Sequence, residues 1–185
     1  MVATIVICDH PEYHAKRSHT TKWSPPAQGV FNTLMKITLA AIVPRRSRAK
    51  ADAIDTLIAD FLKRSTRFNP IDSQLFDTEP DLLTFLAAQP GRTAPVAILL
   101  DSRGQQLSSE DFAQTLARHR DQGTQRLILA IGPADGWSKE AHTRANLLFS
   151  LGRITLPHQL ARLVLAEQTY RALTILANHP YHSGH

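Results

Sequence analysis

From residue 36 onward, short apolar runs alternate with stretches whose apolar positions recur every three or four residues. The runs predict strands at residues 36–43, 71–76, 96–100, 126–131 and 146–151, each short and bounded by turn residues or charges. The helical spacing predicts helices at 48–64, 79–88 and 108–122, and a long one at 159–176. Ser108 and Asp111, just before Phe112, have the spacing of a capping box, and Pro157 suits a first helical position. Strands that alternate with helices predict an α/β fold with a mostly parallel sheet. Leu160, Leu163, Val164, Leu165, Tyr170, Leu173, Ile175 and Leu176 place apolar groups on more than one side of the last helix. That helix is therefore expected to meet a partner, a second copy being the simplest, or to be sandwiched within one chain.

Residues 1–34 break this pattern. His10, Pro11, His14, His19, Pro25 and Pro26 are mixed with scattered charges and no sustained period, so this stretch is expected to be an extension without a packed element. Residues 35–185 form the expected domain, and Met35 is a candidate natural start. With 185 residues and 43% hydrophobic composition, the chain suits one core and excludes two large domains. Its apolar stretches stop well short of the roughly 20 residues of a membrane helix, and residues 2–8 lack the flanks of a signal peptide. A single cysteine, Cys8, excludes an internal disulfide and fits a reducing, cytoplasmic setting.

Charge is unevenly spread. The net charge is +5, but residues 35–70 carry +5, residues 71–111 carry −5 and residues 112–185 carry +4. Two basic segments around an acidic middle point to a polyanion such as RNA if the fold brings them together, or otherwise to solvated helix faces.

Ligands of a parallel sheet bind beyond the carboxyl ends of its strands. Three loops there contain glycine: Asp101-Ser102-Arg103-Gly104, Gly132-Pro133-Ala134-Asp135-Gly136, and Gly152-Arg153-Ile154-Thr155-Leu156-Pro157. Glycine admits close backbone approach, so these loops predict a small-molecule site held by backbone groups. No G-x-G-x-x-G, P-loop or G-x-S-x-G is present, which leaves dinucleotide, nucleoside-triphosphate and serine-hydrolase sites unsupported. His179, His182 and His185 are spaced in a tail that fixes no metal geometry, so no metal is expected. Arg162, Glu167 and Arg171 read as an ion-pair ladder along the last helix.

Taken in order, four motifs are similar to those of the RlmH family of SPOUT-class methyltransferases. They are Leu99-Leu100-Asp101-Ser102-Arg103-Gly104 running into Ser108-Ser109-Glu110-Asp111-Phe112-Ala113, Ile131-Gly132-Pro133-Ala134-Asp135-Gly136, Leu151-Gly152-Arg153-Ile154-Thr155-Leu156-Pro157-His158, and Ala166-Glu167-Gln168-Thr169-Tyr170-Arg171-Ala172 with His179-Pro180-Tyr181-His182. The likeness is dense over residues 96–182, looser over 35–95 and absent before Met35. It implies transfer of a methyl group from S-adenosylmethionine to N3 of a pseudouridine in 23S rRNA of the assembled ribosome. It also implies a homodimer and a C-terminal deep trefoil knot.

By the same resemblance, the cofactor is expected at Leu100, Gly132, Leu151, Gly152, Arg153, Ile154, Thr155 and Leu156. The catalytic and RNA-facing candidates are Arg162, Tyr170, Arg171, His179, Tyr181 and His182. A histidine suits removal of the imide proton, with His179 and His182 equally placed, Tyr181 suits stacking, and the arginines suit phosphate. Another RNA such as tRNA, or a ribosome-binding module without catalysis, are the alternatives. The chain departs from the family at Pro133, which takes the place of a second glycine and removes a backbone donor. It departs again at Asp77-Thr78-Glu79-Pro80-Asp81, where relatives are often rich in lysine, and at Ser183-Gly184-His185 after the last motif.

Overall fold

A computed structural model describes residues 35–47, 53–88 and 93–182, with the side chains of Ser47 and His182 excepted. The expected extension, the beginning of the helix placed at 48–64, and residues 183–185 lie outside the described residues. Five strands, β1 (Lys36–Ile42), β2 (Ile71–Phe76), β3 (Val96–Gln106), β4 (Arg126–Ile131) and β5 (Leu147–Ser150), form one sheet in the order β2-β1-β4-β3-β5. Every pairing is parallel. The helices are α1 (Ala53–Ser65), α2 (Glu79–Ala87), α3 (Ser109–Asp121), α4 (Lys139–Arg144) and α5 (His158–Leu176).

Helices cover both faces of the sheet, which is why the central strands are apolar on both sides. Ile37, Leu39, Ile98, Leu127 and Leu129 pack on one face against α1, α3 and α5 through Ile58, Phe112, Leu116, Leu165 and Leu173. Ala40, Ile42, Leu99, Ile128 and Ala130 pack on the other face against Leu82, Leu83 and Leu86 of α2 and against Trp137 and Ala141 at α4. Helix α5 touches both α1 and α3, so its several apolar sides are largely met within one chain. Leu160 remains 40% exposed.

Three local readings are corrected. β3 does not end at Leu100. It resumes pairing at Gln105, and since Leu100 and Gln105 both stand opposite Phe149, residues 101–104 form an outward excursion within the strand. A Cβ on Gly104 would lie 2.6 Å from backbone atoms of Leu148 and Phe149, so only glycine lets β5 pass this close. Helix α4 went unpredicted because its six residues give too little periodicity, although Ser138 caps it by accepting the Ala141 N–H at 3.1 Å. Pro157 sits just before α5, as its N-cap, rather than in the first helical position.

The acidic stretch after β2 is structural. Thr78 and Asp81 cap α2 reciprocally, and Glu79 accepts from the Ser138 N–H at 3.1 Å, linking the starts of α2 and α4. Ser108 accepts the Asp111 N–H at 3.0 Å, so the predicted cap of α3 forms. The end of α5 is closed by Asn178, whose φ of 51° is left-handed. Its N–H donates to the Ile175 carbonyl and that of His179 to Thr174, the paired bonds of a Schellman motif.

Candidate functional site

Strands β4, β3 and β5 are neighbours and run parallel, so the three glycine-containing loops emerge at one edge. There the loops after β3 and β5, with the first turns of α5, line a cleft open to solvent. Leu100, Leu151, Gly152, Ile154 and Leu156 line it, joined by Asp101, Ser102, Phe149, Ser150 and Ala161. Gly132, Arg153 and Thr155 are not among the lining residues. Gly132 instead supports the neighbourhood: its carbonyl meets His158 Nε2 at 3.2 Å, and a Cβ on it would strike the Trp137 ring at 2.7 Å.

The loop after β5 is shaped by Ser150, which donates to the Gly152 carbonyl at 3.1 Å and accepts the Gly152 N–H at 3.3 Å. Gly152 has φ 120°, which side chains rarely adopt, and this turns the chain toward Ile154, 70% exposed at the cleft. On the β3 side, Asp101 closes its own turn. Its Oδ1 accepts from the Arg103 backbone N–H at 2.8 Å and from Arg103 Nε at 3.1 Å, and its Oδ2 accepts from Arg103 Nη2 at 3.2 Å and His142 Nε2 at 2.9 Å. Burial pushes this carboxyl up, but the hydrogen bonds from Arg103 and His142 and the Arg103 charge outweigh it, leaving a pKa of about 2.

His158, at the first turn of α5, is held below the ordinary imidazole range by burial and by the charge of Arg162, against the opposing pull of the Gly132 carbonyl. The neutral ring therefore carries its hydrogen on Nε2, facing that carbonyl.

The tail candidates lie elsewhere. The Tyr181 hydroxyl donates to Glu167 Oε1 at 3.1 Å, and Arg171 holds the same oxygen through Nε at 2.9 Å and Nη2 at 2.7 Å. The Tyr181 ring packs edge-on against Tyr170 at 4.7 Å, with the Arg171 guanidinium 5.1 Å from its centroid. Burial and the Glu167 carboxylate raise the phenol pKa, which keeps the hydroxyl a donor. His179 is exposed, lies edge-on to Phe68 at 5.7 Å and accepts the Tyr181 N–H on Nδ1 at 3.2 Å. His182 ends the 3-10 turn Pro180–His182.

The expected ladder is half formed. Arg171 pairs with Glu167, whereas Arg162, 10% exposed in its side chain, reaches Asp55 of α1 at 3.0 Å and also bonds Gln159. The described part of the tail docks away from the cleft. Glu167, where Tyr181 docks, is six residues beyond Ala161 of the cleft, about 9 Å along the helix and about 120° around it. Sequence reasoning missed Trp137 and His142 as supports; Glu167 was read as the partner of Arg171 from its four-residue spacing, which holds, but not as the seat of Tyr181.

An all-parallel sheet covered on both faces, with a cleft at the carboxyl edge between the ends of β3 and β5 and the start of α5, is the architecture of the α/β class that binds small molecules at that edge. The family described as Predicted SPOUT methyltransferase matches residues 35–182, and the chain belongs to it. It is 51% identical over 138 residues to the ribosomal RNA large subunit methyltransferase H of Koribacter versatilis, covering 75% of this chain and 94% of that relative. It is 56% identical over 85 residues to the protein of the same name from Brucella anthropi, covering 46% of this chain and 53% of that one. Among solved structures, a probable methylase family protein from Haemophilus influenzae aligns with a TM-score of 0.49 at 7% identity, over 80% of this chain and 69% of that chain.

Proposed function

We propose that the protein methylates large-subunit ribosomal RNA with S-adenosylmethionine, at N3 of a pseudouridine in 23S rRNA presented by the assembled ribosome. The observation that carries this reading is the 51% identity to a named rRNA methyltransferase across 94% of that relative's length. The cleft fits the cofactor's chemistry. Leu100, Phe149, Leu151, Ile154 and Leu156 offer apolar walls to a nucleoside, Ser102 offers a hydroxyl, and the backbone at Gly152 offers close approach. When bound, the cofactor supplies an electrophilic methyl on a good leaving group. What remains for the chain is to align the acceptor base and take its N3 proton.

For that proton the candidates are His179 and His182, with Tyr181 beside them. Arg162 and Arg171 are nearly buried and paired, so they meet RNA phosphate only by exchanging Asp55 and Glu167 for it. Since the tail docks on a different side of α5 from its own cleft, a homodimer in which each tail serves the other cleft follows naturally. Leu160 and Ile154, exposed beside the cleft, give such an interface apolar area.

The proposed knot is supported by the path of the chain: β5 lies on the far side of β3 from β4, yet α5 begins against the Gly132 loop that follows β4. No helix among the described residues is long and apolar enough to cross a membrane, and a ribosomal substrate implies the cytoplasm. Residues 1–34 precede the family match and are proposed to be dispensable. The test is methyl transfer from labelled S-adenosylmethionine to ribosomes and, separately, to bulk tRNA, with mass spectrometry of the nucleosides formed. Methylated pseudouridine in 23S rRNA is the expected product. Labelling of tRNA alone, or cofactor binding without transfer to any RNA, overturns the reading.

A further inference from the structure

Helix α4 and the residue that leads into it pack on the sheet face opposite α5, yet two of their side chains reach the cleft wall. Trp137 Nε1 donates to the Leu100 carbonyl at 2.8 Å, and His142 Nε2 donates to Asp101 Oδ2 at 2.9 Å. Both acceptors belong to cleft-lining residues at the point where β3 leaves its pairing with β5. We propose that Trp137 and His142 are positioning residues for the cofactor, which fix the Leu100–Asp101 segment of its cleft from behind.

After Leu100 the β3–β5 ladder lapses until Gln105, so the segment between lacks the bonds that ordinarily set peptide orientation. The indole supplies one of them. A trans peptide is planar, with its C=O and N–H opposed, so drawing the Leu100 carbonyl to Trp137 turns the Asp101 N–H away from the indole. That amide belongs to a residue that lines the cleft.

The imidazole supplies the second bond. Asp101 is 5% exposed in its side chain and takes Arg103 from one side, and His142 fills Oδ2 from α4. Arg103 Nη2 and His142 Nε2, 3.4 Å apart, both donate to that carboxylate rather than to each other. The indole is itself fixed. Gly132 leaves no side chain in its way, and a Cβ there would lie 2.7 Å from the ring. The loops after β3 and β4 are thus referenced to one aromatic group, which is rigid and buried.

This inference rests on the cleft being the cofactor site. The experiment measures S-adenosylmethionine Kd by calorimetry, KM for ribosomes, and thermal midpoint for wild type, Trp137→Phe, His142→Ala and His142→Gln. Trp137→Phe keeps the ring against Gly132 and removes only the N–H donor. Each of Trp137→Phe and His142→Ala is expected to raise Kd about fivefold to tenfold, with KM for ribosomes unchanged. His142→Gln, which still presents an N–H, should recover most of the loss.

Kd within twofold of wild type in both folded variants, measured well below their midpoints, overturns the proposal even if the midpoints fall. So does a failure of His142→Gln to recover any affinity lost by His142→Ala. Wild type that binds ribosomes but no S-adenosylmethionine overturns the cofactor reading itself, and this inference with it.

Discussion

The two sides of α5 carry different kinds of site. At its first turns, Ala161 faces a cleft whose wall is apolar side chains and turned backbone, held by neutral or fully compensated groups. Toward its other end, Glu167, Tyr170 and Arg171 hold a tail through charges, a phenol and ring edges. The first is built like a binding site, in which shape is set before the ligand arrives. The second holds groups that can exchange partners, as Arg171 can exchange a carboxylate for a phosphate. The contrast is the one the proposed function needs: a preformed cleft and a tail of exchangeable groups, apart along one helix.

The sharpest way to break the comparison is to remove the tail. Deleting residues 178–185 is expected to cut methyl transfer to ribosomes at least about a hundredfold, the low end for losing a general base, while the cofactor Kd stays within about twofold. A parallel fall in cofactor affinity would show the tail to be part of the cleft. Next in size, Gly104→Ala forces a methyl into the β5 backbone and is expected to lower stability by about 3 kcal/mol in chemical denaturation. Wild-type stability for that variant would remove the close approach from the account.

A third test concerns charge in the cleft wall. The Asp101 pKa falls from 3.8 to about 2 on folding, so the ionised group contributes stability above pH 4 that is lost as pH falls toward 2. Asp101→Asn is therefore expected to cost about 2 kcal/mol at pH 7 and close to nothing at pH 2. A pH-independent difference would refute the carboxylate's role. The smallest effect concerns His158. Folding lowers its pKa, so the unfolded chain binds the proton first and stability declines as pH falls below the unfolded value of 6.5. His119 adds to the same slope, since burial and Arg118 lower it too. His158→Asn should flatten the decline between pH 7 and 5 without abolishing it, as followed by thermal midpoints.

The strands were legible because each is a short apolar run, and β2 and β4 fall on the predicted residues. The loops of the cleft were legible because glycine marks them. Three things were not. The continuation of β3 through Gly104 depends on a neighbour 44 or 45 residues away, and α4 is too short for a period to develop. The supports of the cleft act across separations of 37 and 41 residues, Leu100 to Trp137 and Asp101 to His142, with no local pattern. Composition placed histidines and a tyrosine in the tail, but its docking beside Glu167 follows from tertiary packing around Tyr170.

One backbone angle has mechanical leverage over that tail. Asn178 is the sole described residue other than glycine with positive φ, and the chain from His179 to His182 takes its direction from it. Its left-handed turn, closed by the N–H bonds of Asn178 and His179 to Ile175 and Thr174, sends the chain back so that Tyr181 lands on Glu167. Asn178 thus sets the exit angle of the tail, and a side chain that disfavours positive φ there would loosen the seat of Tyr181 together with the helix end.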